Sequence, residues 1–272
     1  MNEQQFLQNY SQDRYERPSI ATDIAAFSLR TIKSEAYRAS PELKLCVLLI
    51  RRGGHPFQNH WALPGGFLQR GESIDECAFR ELKEETNLCP VSMLWVDTFS
   101  QPDRDPRGWI ISHAYASVIA EEDAKIIGGS DAAEAQWFEV AFHEKSKGCW
   151  HLELRGGETV LSALLQAVPS TTTKKRFTIL QNDGLAFDHA SILASALDTL
   201  RSEGEKTETV FAFLPEKFTL FSLQKVQETL LGISLLTANF RRKIADFVEE
   251  TDEYTEGAGH RPARLFRKKI LL

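Results

Sequence analysis

Residues 66–88, GFLQRGESIDECAFRELKEETNL, are the stretch that decides the fold of this sequence. Ser73 and Glu76 have the S-x-x-E spacing of a capping box, which predicts a helix that begins at Ile74. The helical spacing ends near Asn87, so the stretch contains a Gly-punctuated loop followed by one helix.

Three carboxylates fall on one side of this predicted helix. At about 100° per residue, Glu81, Glu84 and Glu85 lie within an arc of roughly 100°. Arg80, four residues before Glu84, can neutralise one of them. Partly buried like charges repel, so the remaining charge requires a divalent cation, and an all-oxygen set favours Mg²⁺ or Mn²⁺ over zinc. For an isolated E-x-x-E-E, however, a solvated acidic face on a surface helix is the commoner explanation.

The wider spacing decides between these alternatives. Gly66 is separated by five residues from Glu72, which is followed after seven residues by Arg80-Glu81-Leu82. Glu84-Glu85 and then Asn87-Leu88 follow, each after a gap of one residue. This resembles the Nudix box, G-x5-E-x7-R-E-U-x-E-E-x-G-U with U aliphatic, at every position but one. Asn87 replaces the last glycine, and Asn is the next-best residue for a left-handed helix end. We therefore expect the loop to keep its fold.

The resemblance implies the Nudix fold, an α/β/α sandwich around a mixed sheet, over roughly residues 15–200. It also implies magnesium-dependent hydrolysis of a nucleoside diphosphate linked to another moiety. By position, the catalytic residues would be Arg80, Glu81, Glu84 and Glu85. The Mg²⁺ or Mn²⁺ ligands would be Glu81, Glu84, Glu85 and the carbonyl of Gly65, with Glu84 as a further ligand or the base that activates water. Glu72 and Arg80 would hold the loop and helix together. Candidates for a second catalytic carboxylate, left unranked, are Glu121, Glu122, Asp131 and Glu134.

A second loop, residues 101–109 (QPDRDPRGW), places Arg104 and Arg107 between two prolines. A stiff loop loses little entropy when two guanidiniums grip a phosphate or a sugar, although a solvated polar turn is equally compatible with the pattern. RDPRGW, with WALPGGF at 61–67 and DAAEAQWF at 131–138, resembles Nudix proteins that bind ADP-ribose. Arg52 is a further candidate substrate contact. Trp61 and Phe57 are candidates for stacking a base, although aromatics beside Gly and Pro serve equally often in packing.

The remaining segments predict a β-rich domain around the box. Aliphatic and β-branched runs predict strands, and one amphipathic run predicts a helix over residues 185–201. The strands are expected at residues 19–29, 43–52, 92–98, 109–120 and 135–140. Residues 141–180 are compatible with a hairpin around Gly156-Gly157 or with a strand followed by a helix. We expect an N-terminal arm (1–18), a Nudix domain (19–201), a linker (202–209) and a C-terminal domain (210–272).

The C-terminal 63 residues have the element order of a winged helix-turn-helix. Helices are predicted at residues 219–231 and 237–247, followed by an acidic turn and a strand at residues 260–267. The candidate DNA contacts are Arg241, Arg242, Lys243, Arg261 and Arg264. The alternative is a small helical appendage that packs on the Nudix domain or forms a dimer. NFRRKI at 239–244, RPARLF at 261–266 and LAFDH at 185–189 resemble Nudix-related transcriptional regulators of NAD metabolism. Those regulators sense ADP-ribose and release operator DNA, usually as dimers.

Composition limits the possible functions. The 272 residues are 42% hydrophobic and 26% charged, with a net charge of −6, which excludes a polybasic coat for nucleic acid or membrane over the whole surface. Residues 210–272, in contrast, carry ten Lys and Arg against eight Asp and Glu. The four cysteines form no CxxC pair, and no signal peptide or membrane-spanning run is visible. The sequence predicts a soluble, cytoplasmic protein.

Two functions follow from these patterns. The first is a Mg²⁺-dependent pyrophosphohydrolase that cleaves ADP-ribose to AMP and ribose 5-phosphate. The alternative is an ADP-ribose-responsive DNA-binding transcriptional regulator of NAD metabolism, acting as a homodimer. Many of the regulators have lost glutamates from the box, whereas this chain keeps Glu81, Glu84 and Glu85. That difference favours the enzyme.

Overall fold

The computed structural model describes residues 2–11, 15–32, 42–120, 124, 134–169, 174–205, 207–255 and 262–269. The helices are α1 (Glu3–Asn9), α2 (Ile74–Thr86), α3 (His189–Gly204), α4 (Thr207–Phe211), α5 (Leu220–Leu231) and α6 (Thr237–Ile244). The strands of a large sheet are β1 (Ser19–Ile32), β2 (Glu42–Arg51), β3 (Trp61–Ala62), β4 (Gly65–Phe67), β5 (Ser92–Phe99), β6 (Ile110–Val118), β7 (Glu134–Ser146), β8 (Cys149–Gly156), β9 (Thr159–Val168) and β10 (Arg176–Asp183). A small sheet contains β11 (Lys217–Phe218), β12 (Val248–Tyr254) and β13 (Arg264–Lys268).

The large sheet is mixed, as predicted. Its strand order is β10-β9-β8-β7-β2-β1-β6-β5, with β3 paired to β2 and β4 paired to β1. β1 runs parallel to β6, and the other pairs of this sheet are antiparallel. β2 lies in the middle of the sheet, and its residues 45–50 are all buried. Burial on both faces explains why this strand is a continuous apolar run.

Helices cover both faces of the sheet. Successive residues of β1 point to opposite faces, so Ile24 and Ala26 pack with Leu82 of α2, whereas Ala25 and Phe27 belong to the core that contains α3. The predicted α/β/α sandwich is therefore confirmed. Within the described residues, no helix is both long and apolar enough to span a bilayer.

Helix α2 has the limits that its sequence predicts. The Ser73 side chain accepts a hydrogen bond from the Glu76 backbone, and the Glu76 side chain accepts one from the Ser73 backbone. Asn87 ends the helix in the left-handed conformation, with φ 58°. The expectation that Asn can replace glycine at this position of the loop is confirmed.

Residues 141–169 and 174–180 form strands rather than a strand and a helix. β8 and β9 form a hairpin that closes where Gly156 pairs with Thr159, and β10 adds to β9. The hairpin alternative is confirmed, and the helical alternative is wrong. These strands extend the sheet and carry Phe142, Trp150 and Phe177. Phe142 stacks on Trp150, and Phe177 packs edge-on against both of them in the core beside α3.

The C-terminal part is a winged helix-turn-helix, also as predicted. α5 and α6 form the helical pair, and β12 and β13 form the hairpin. The acidic segment expected to be a turn is strand β12, because its glutamates pair with basic residues of β13. The second helix ends at Ile244, three residues earlier than expected.

The connection between the two parts differs from the expected polar linker. α3 continues to Gly204, and α4 begins at Thr207, so most of residues 202–209 is helical. The arm preceding β1 also contains a helix, α1. Apolar residues that follow the connection, among them Val210 and Phe213, belong to the same core as α3.

Candidate active site and DNA-binding surface

A polar cavity of about 170 Å³ lies where β1, β4, α2 and the 101–109 loop meet the start of α3. Five of the predicted site residues line it, namely Arg52, Gly65, Glu85, Arg104 and Arg107. Asp23, Asp105, Phe187 and His189, which the sequence did not single out, also line the cavity.

Two glycines allow the chain to pass closely between β1 and α2. A Cβ atom on Gly65 would lie 2.1 Å from the backbone oxygen of Thr22, so no side chain fits there while β4 pairs with β1. A Cβ atom on Gly66 would lie 2.4 Å from the carboxylate of Glu81. Any residue other than glycine at position 66 would therefore displace the carboxylate of Glu81 from its present position.

Arg80 neutralises more of the glutamates than the sequence indicated. Its guanidinium donates to Glu72 at 2.7 and 3.0 Å, to Glu81 at 2.7 Å and to Glu84 at 3.2 Å. Hydrogen bonds from Arg80 and from the Gln69 amide lower the pKa of Glu72 to about 2. The expectation that Arg80 neutralises only Glu84 is wrong, because the guanidinium has enough donors to serve three carboxylates.

Glu85 is the carboxylate of the box that faces the cavity. Its Oε2 accepts a hydrogen bond from the Gly65 amide at 2.9 Å. Burial raises its pKa to about 8, and the neighbouring charges of Glu81 and Asp23 add to this, while the Gly65 amide and Arg52 oppose it. Glu84, in contrast, has a side chain that is 60% exposed.

The residues predicted to hold a metal fit a cation in part. Within the part of the chain that the structure describes, no three acidic, His or Cys side chains are gathered as a metal site. Arg80 neutralises Glu81 and Glu84 instead. Glu85 has the chemistry of a cation ligand, since its buried carboxylate lies beside two further negative charges. For Glu81 to join Glu85 around a metal, its carboxylate would have to leave Arg80.

Two guanidiniums lie over one aromatic ring beside the cavity. Arg52 and Arg107 lie 4.8 and 5.3 Å from the ring centroid of Phe187. Burial and the nearby charge of Arg107 lower the pKa of Arg52. Arg107 is paired with Asp105 at 2.7 Å. Two converging cations above an aromatic face form an arrangement suited to an anionic ligand that carries a ring or a sugar.

Arg104 lines the cavity but is already paired with protein carboxylates. It donates to Asp188 at 3.0 and 2.8 Å and to Asp23 at 3.2 Å, and its side chain is 4% exposed. In this structure the donors of Arg104 therefore serve Asp23 and Asp188, and the predicted contact of Arg104 with a phosphate stays a prediction. Burial alone would raise the pKa of Asp23, but His189 and Arg104 outweigh it and hold that pKa well below its usual range.

The predicted stacking role of Trp61 is not supported. Trp61 is 6% exposed and packs edge-on against Phe138 at 4.9 Å, so it belongs to the core. Its position at the start of β3, on the face that carries α3, explains this burial. Phe57 packs on Phe187 at 4.7 Å, and Phe187 lines the cavity together with Phe67.

A second catalytic carboxylate is not found among the described candidates. Glu134 pairs with Arg51 at 3.5 Å and does not line the cavity. Glu121, Glu122 and Asp131 lie outside the described residues. Asp23, which lines the cavity, is a lone charged residue in the apolar run of β1, and that isolation is the only sequence signal that could have identified it.

The candidate DNA-binding surface is centred on α6. Phe240 and Ile244 are buried, whereas Arg241 and Arg242 are exposed, as the amphipathic pattern predicts. Lys243 donates to the backbone oxygen of Glu205 at 3.4 Å, so it contacts the connection between the two parts.

The hairpin contributes less free positive charge than expected. Arg264 is paired with Glu250 and donates to the hydroxyl of Tyr254 at 2.9 Å. Its guanidinium is thus held within the hairpin. Arg261 lies outside the described residues.

Two domain families match the chain. Residues 36–149 match the NUDIX domain, and residues 210–268 match the NrtR DNA-binding winged helix domain. Over 270 residues the chain is 29% identical to the ADPR responsive transcriptional repressor NtrR of Acinetobacter baylyi. The matched region covers 98% of this chain and 88% of that protein.

Solved structures resemble the fold over nearly its full length. The MutT/nudix family protein from Enterococcus faecalis has a TM-score of 0.75 and 31% identity, covering 99% of this chain and 94% of that one. Shewanella oneidensis NrtR complexed with a 27-mer DNA has a TM-score of 0.62 and 26% identity, covering 92% and 93% of the two chains.

Proposed function

The chain belongs to the MutT/Nudix family, and from that membership we propose that it is an ADP-ribose-responsive transcriptional regulator that binds operator DNA. The observation that carries the proposal is the C-terminal winged helix, whose α6 exposes Arg241 and Arg242 on the side opposite its buried Phe240 and Ile244. A short basic helix in a helix-turn-helix is the element that enters the major groove. The likeness to a repressor named as ADPR responsive supports both the ligand and the regulatory role.

The cavity supports an anionic nucleotide as the signal. Arg52 and Arg107 supply positive charge, and Phe187 supplies an aromatic face between them. These groups match the diphosphate and the ring or sugar components of ADP-ribose. A homodimer, the expected form for binding two operator half-sites, stays a prediction.

Replacing Arg241 tests the DNA-binding role. The DNA used is a duplex that the wild-type chain enriches from a random pool. The Arg241→Ala variant should bind this duplex about tenfold or more weakly than wild type, and its binding should depend less on salt concentration. Arg155→Ala removes a guanidinium of similar exposure from β8 and should leave binding unchanged. Equal binding by all three proteins would exclude α6 as the DNA contact.

Hydrolysis of ADP-ribose is a second candidate function, favoured by one observation. Glu85 faces the cavity beside the Gly65 backbone, and its pKa is raised to about 8 by burial and by the nearby charge of Glu81, so these two carboxylates would supply oxygen ligands to a cation once Glu81 leaves Arg80. Mg²⁺ held by Glu81, Glu85 and the Gly65 carbonyl would offset charge on the diphosphate and lower the pKa of an attacking water. Glu84, which is largely exposed, would act as a further ligand or as the base.

An assay with ADP-ribose and Mg²⁺ distinguishes a regulator that only binds ADP-ribose from one that also hydrolyses it. A hydrolase should release AMP and ribose 5-phosphate, and Glu85→Gln should abolish the release. Glu158→Gln, at the exposed tip of the β8–β9 hairpin, is the matched control and should retain full activity. If wild-type protein binds ADP-ribose without turnover, the chain is a regulator only.

A further inference from the structure

Helix α3 connects the cavity to the winged helix. Its 16 residues span about 24 Å, from His189 beside the cavity to Gly204 beside α5. The helix is buried over most of its length, including residues 189–197 without interruption. Because a close-packed helix cannot deform gradually, a displacement at one end is carried to the other.

The first end of α3 is fixed by the polar network of the cavity. Asp188, which precedes the helix, makes the paired hydrogen bonds with Arg104. His189 accepts a hydrogen bond at Nδ1 from the Leu63 amide at 2.9 Å, and its Nε2 lies 3.3 Å from Asp23. Since Nδ1 accepts, the ring proton is on Nε2 and points to Asp23. The start of α3 is therefore held by groups that border the ligand site.

The other end of α3 holds both helices of the DNA-binding unit. The Gly204 carbonyl accepts a hydrogen bond from Nε2 of Gln227 in α5 at 3.1 Å, and Gln227 is only 4% exposed. The next carbonyl, that of Glu205, accepts from Lys243 in α6 at 3.4 Å. The C-terminal end of α3 is thus linked by one polar contact to α5 and by one to α6.

We propose that α3 transmits occupancy of the cavity to the winged helix, and that Gln227 is the residue through which the displacement reaches α5, the helix that packs beside α6. The inference rests on the proposed function, in which an anionic nucleotide controls DNA binding. A diphosphate in the cavity, which Asp23 and Arg104 line, adds negative charge next to Asp23 and competes with Asp23 and Asp188 for the guanidinium of Arg104. Asp188 then moves, α3 moves with it, and the contacts of Gly204 and Glu205 with the winged helix change.

Two variants of α5 test this coupling. Gln227→Met keeps the length of the side chain but cannot donate to Gly204. Gln224→Met is the matched control, because Gln224 lies on the same helix and is also buried, but donates to Leu235 and Glu228 inside the winged helix. DNA affinity is measured with and without a methylene-bridged ADP-ribose analogue, which resists hydrolysis.

The expected result is a loss of coupling without a loss of binding. In the wild type and in Gln224→Met the analogue should weaken DNA binding by roughly 5- to 150-fold. In Gln227→Met the DNA affinities with and without the analogue should differ by no more than about twofold. The affinity for the analogue, and the affinity for DNA in its absence, should stay near wild type. A Gln227→Met variant that keeps the full ratio, or a Gln224→Met variant that loses it equally, overturns the inference.

Hydrogen exchange of the wild-type chain provides a readout that does not depend on the variants folding. The analogue should change the exchange of amides at residues 201–205 and in α5. Unchanged exchange there, alongside a wild-type ligand effect on DNA binding, overturns the inference alone. Absence of any ligand effect on wild-type DNA binding overturns the proposed function itself.

Discussion

Among the single residues that line the cavity, Glu85 is the carboxyl group whose charged form is disfavoured by its surroundings. It shares this region with Asp23 and Glu81, but Asp23 is paired with Arg104 and Glu81 with Arg80, whereas Glu85 has a backbone amide as its hydrogen-bond donor. Burial and the charges of Glu81 and Asp23 favour the protonated form of Glu85, and they outweigh the opposing charge of Arg52. This explains why its pKa is raised to about 8 while the pKa of Asp23 is held low.

Stability should therefore fall as pH rises through the titration of Glu85. The folded protein binds this proton more tightly than the unfolded chain, whose carboxyl has a pKa near 4.5. The stabilisation is complete below about pH 4.5 and is lost as pH rises through about 8. At pH 9, without divalent metal, Glu85→Gln should be more stable than wild type by about 2 kcal/mol or more, since one pKa unit is about 1.4 kcal/mol.

The measurement compares chemical denaturation of both proteins at pH 5 and pH 9, so that groups other than Glu85 cancel. Adding excess Mg²⁺ should stabilise the wild type at pH 9 and leave Glu85→Gln unaffected if Glu85 is a metal ligand. A constant difference between the two proteins from pH 5 to pH 9 would show that Glu85 does not titrate in this range.

Sequence reasoning found the residues of the box and missed their partners for a physical reason. Glu81, Glu84 and Glu85 share a helical repeat, so their proximity follows from the spacing alone. Asp23, Asp188 and Arg104 are brought together by β1, the start of α3 and a loop that are far apart in sequence. No local period encodes such contacts, and for that reason Arg104 was assigned to the ligand rather than to the two aspartates.

Among the elements, α2 depends on a single left-handed residue at its end. Asn87 has φ 58°, and its amide donates to Lys83, which closes the helix. The left-handed conformation costs an ordinary L-residue roughly 1–2 kcal/mol, less for Asn, and glycine adopts it readily. The replacement of glycine by Asn in this box is therefore a small cost in stability rather than a loss of the site.

Two substitutions at this position should change stability in opposite directions. Asn87→Gly should leave the protein as stable as wild type or raise its stability by up to about 1 kcal/mol, and Asn87→Ala should lower it by about 1 kcal/mol. Thermal unfolding measures both. Asn182→Gly, at a position within β10, is a control that should not stabilise. If Asn87→Ala is as stable as Asn87→Gly, the left-handed end does not limit α2.

Strands were predictable from sequence where they contain runs of apolar residues, and they were not predictable where most of their residues are charged. β1 and β2 are rich in aliphatic and β-branched residues, and both strands were expected near their observed bounds. β12 has the sequence VEETDEY, which is typical of a solvated turn. Ion pairs from Glu249 and Glu250 to Arg267 and Arg264 of β13 hold it in a sheet instead.

In the molecule as a whole, the two parts share one core. Leu223, Val226 and Leu230 of α5 belong to the same apolar cluster as Leu193 and Leu197 of α3. The sequence indicated two units joined by a polar linker, because residues 202–209 (SEGEKTET) are all polar, charged or glycine. Among the described residues of this connection, Ser202 and Glu205 are exposed whereas Gly204 and Thr209 are buried, a difference that composition does not reveal.

The shared core should make the whole chain unfold as one cooperative unit. Leu230 is 1% exposed, and its side chain lies against Gly204, so Leu230→Ala leaves a cavity worth roughly 2–5 kcal/mol. All five tryptophans precede residue 151, so tryptophan fluorescence reports only on the Nudix part. Although Leu230 lies in the winged helix, its truncation should lower the midpoint of the tryptophan-detected transition by several degrees, together with the calorimetric peak.

A surface truncation separates cooperative unfolding from a general loss of stability. Val160→Ala, at a side chain that is 49% exposed on β9, should leave both transitions in place. Two calorimetric peaks, with Leu230→Ala moving only the one that tryptophan fluorescence does not detect, would show that the parts unfold separately. A single calorimetric peak that Leu230→Ala moves to lower temperature means that the two parts unfold together. The apolar contact between α3 and α5 is then strong enough to couple them, as a structural link between the cavity and the candidate DNA-binding surface requires.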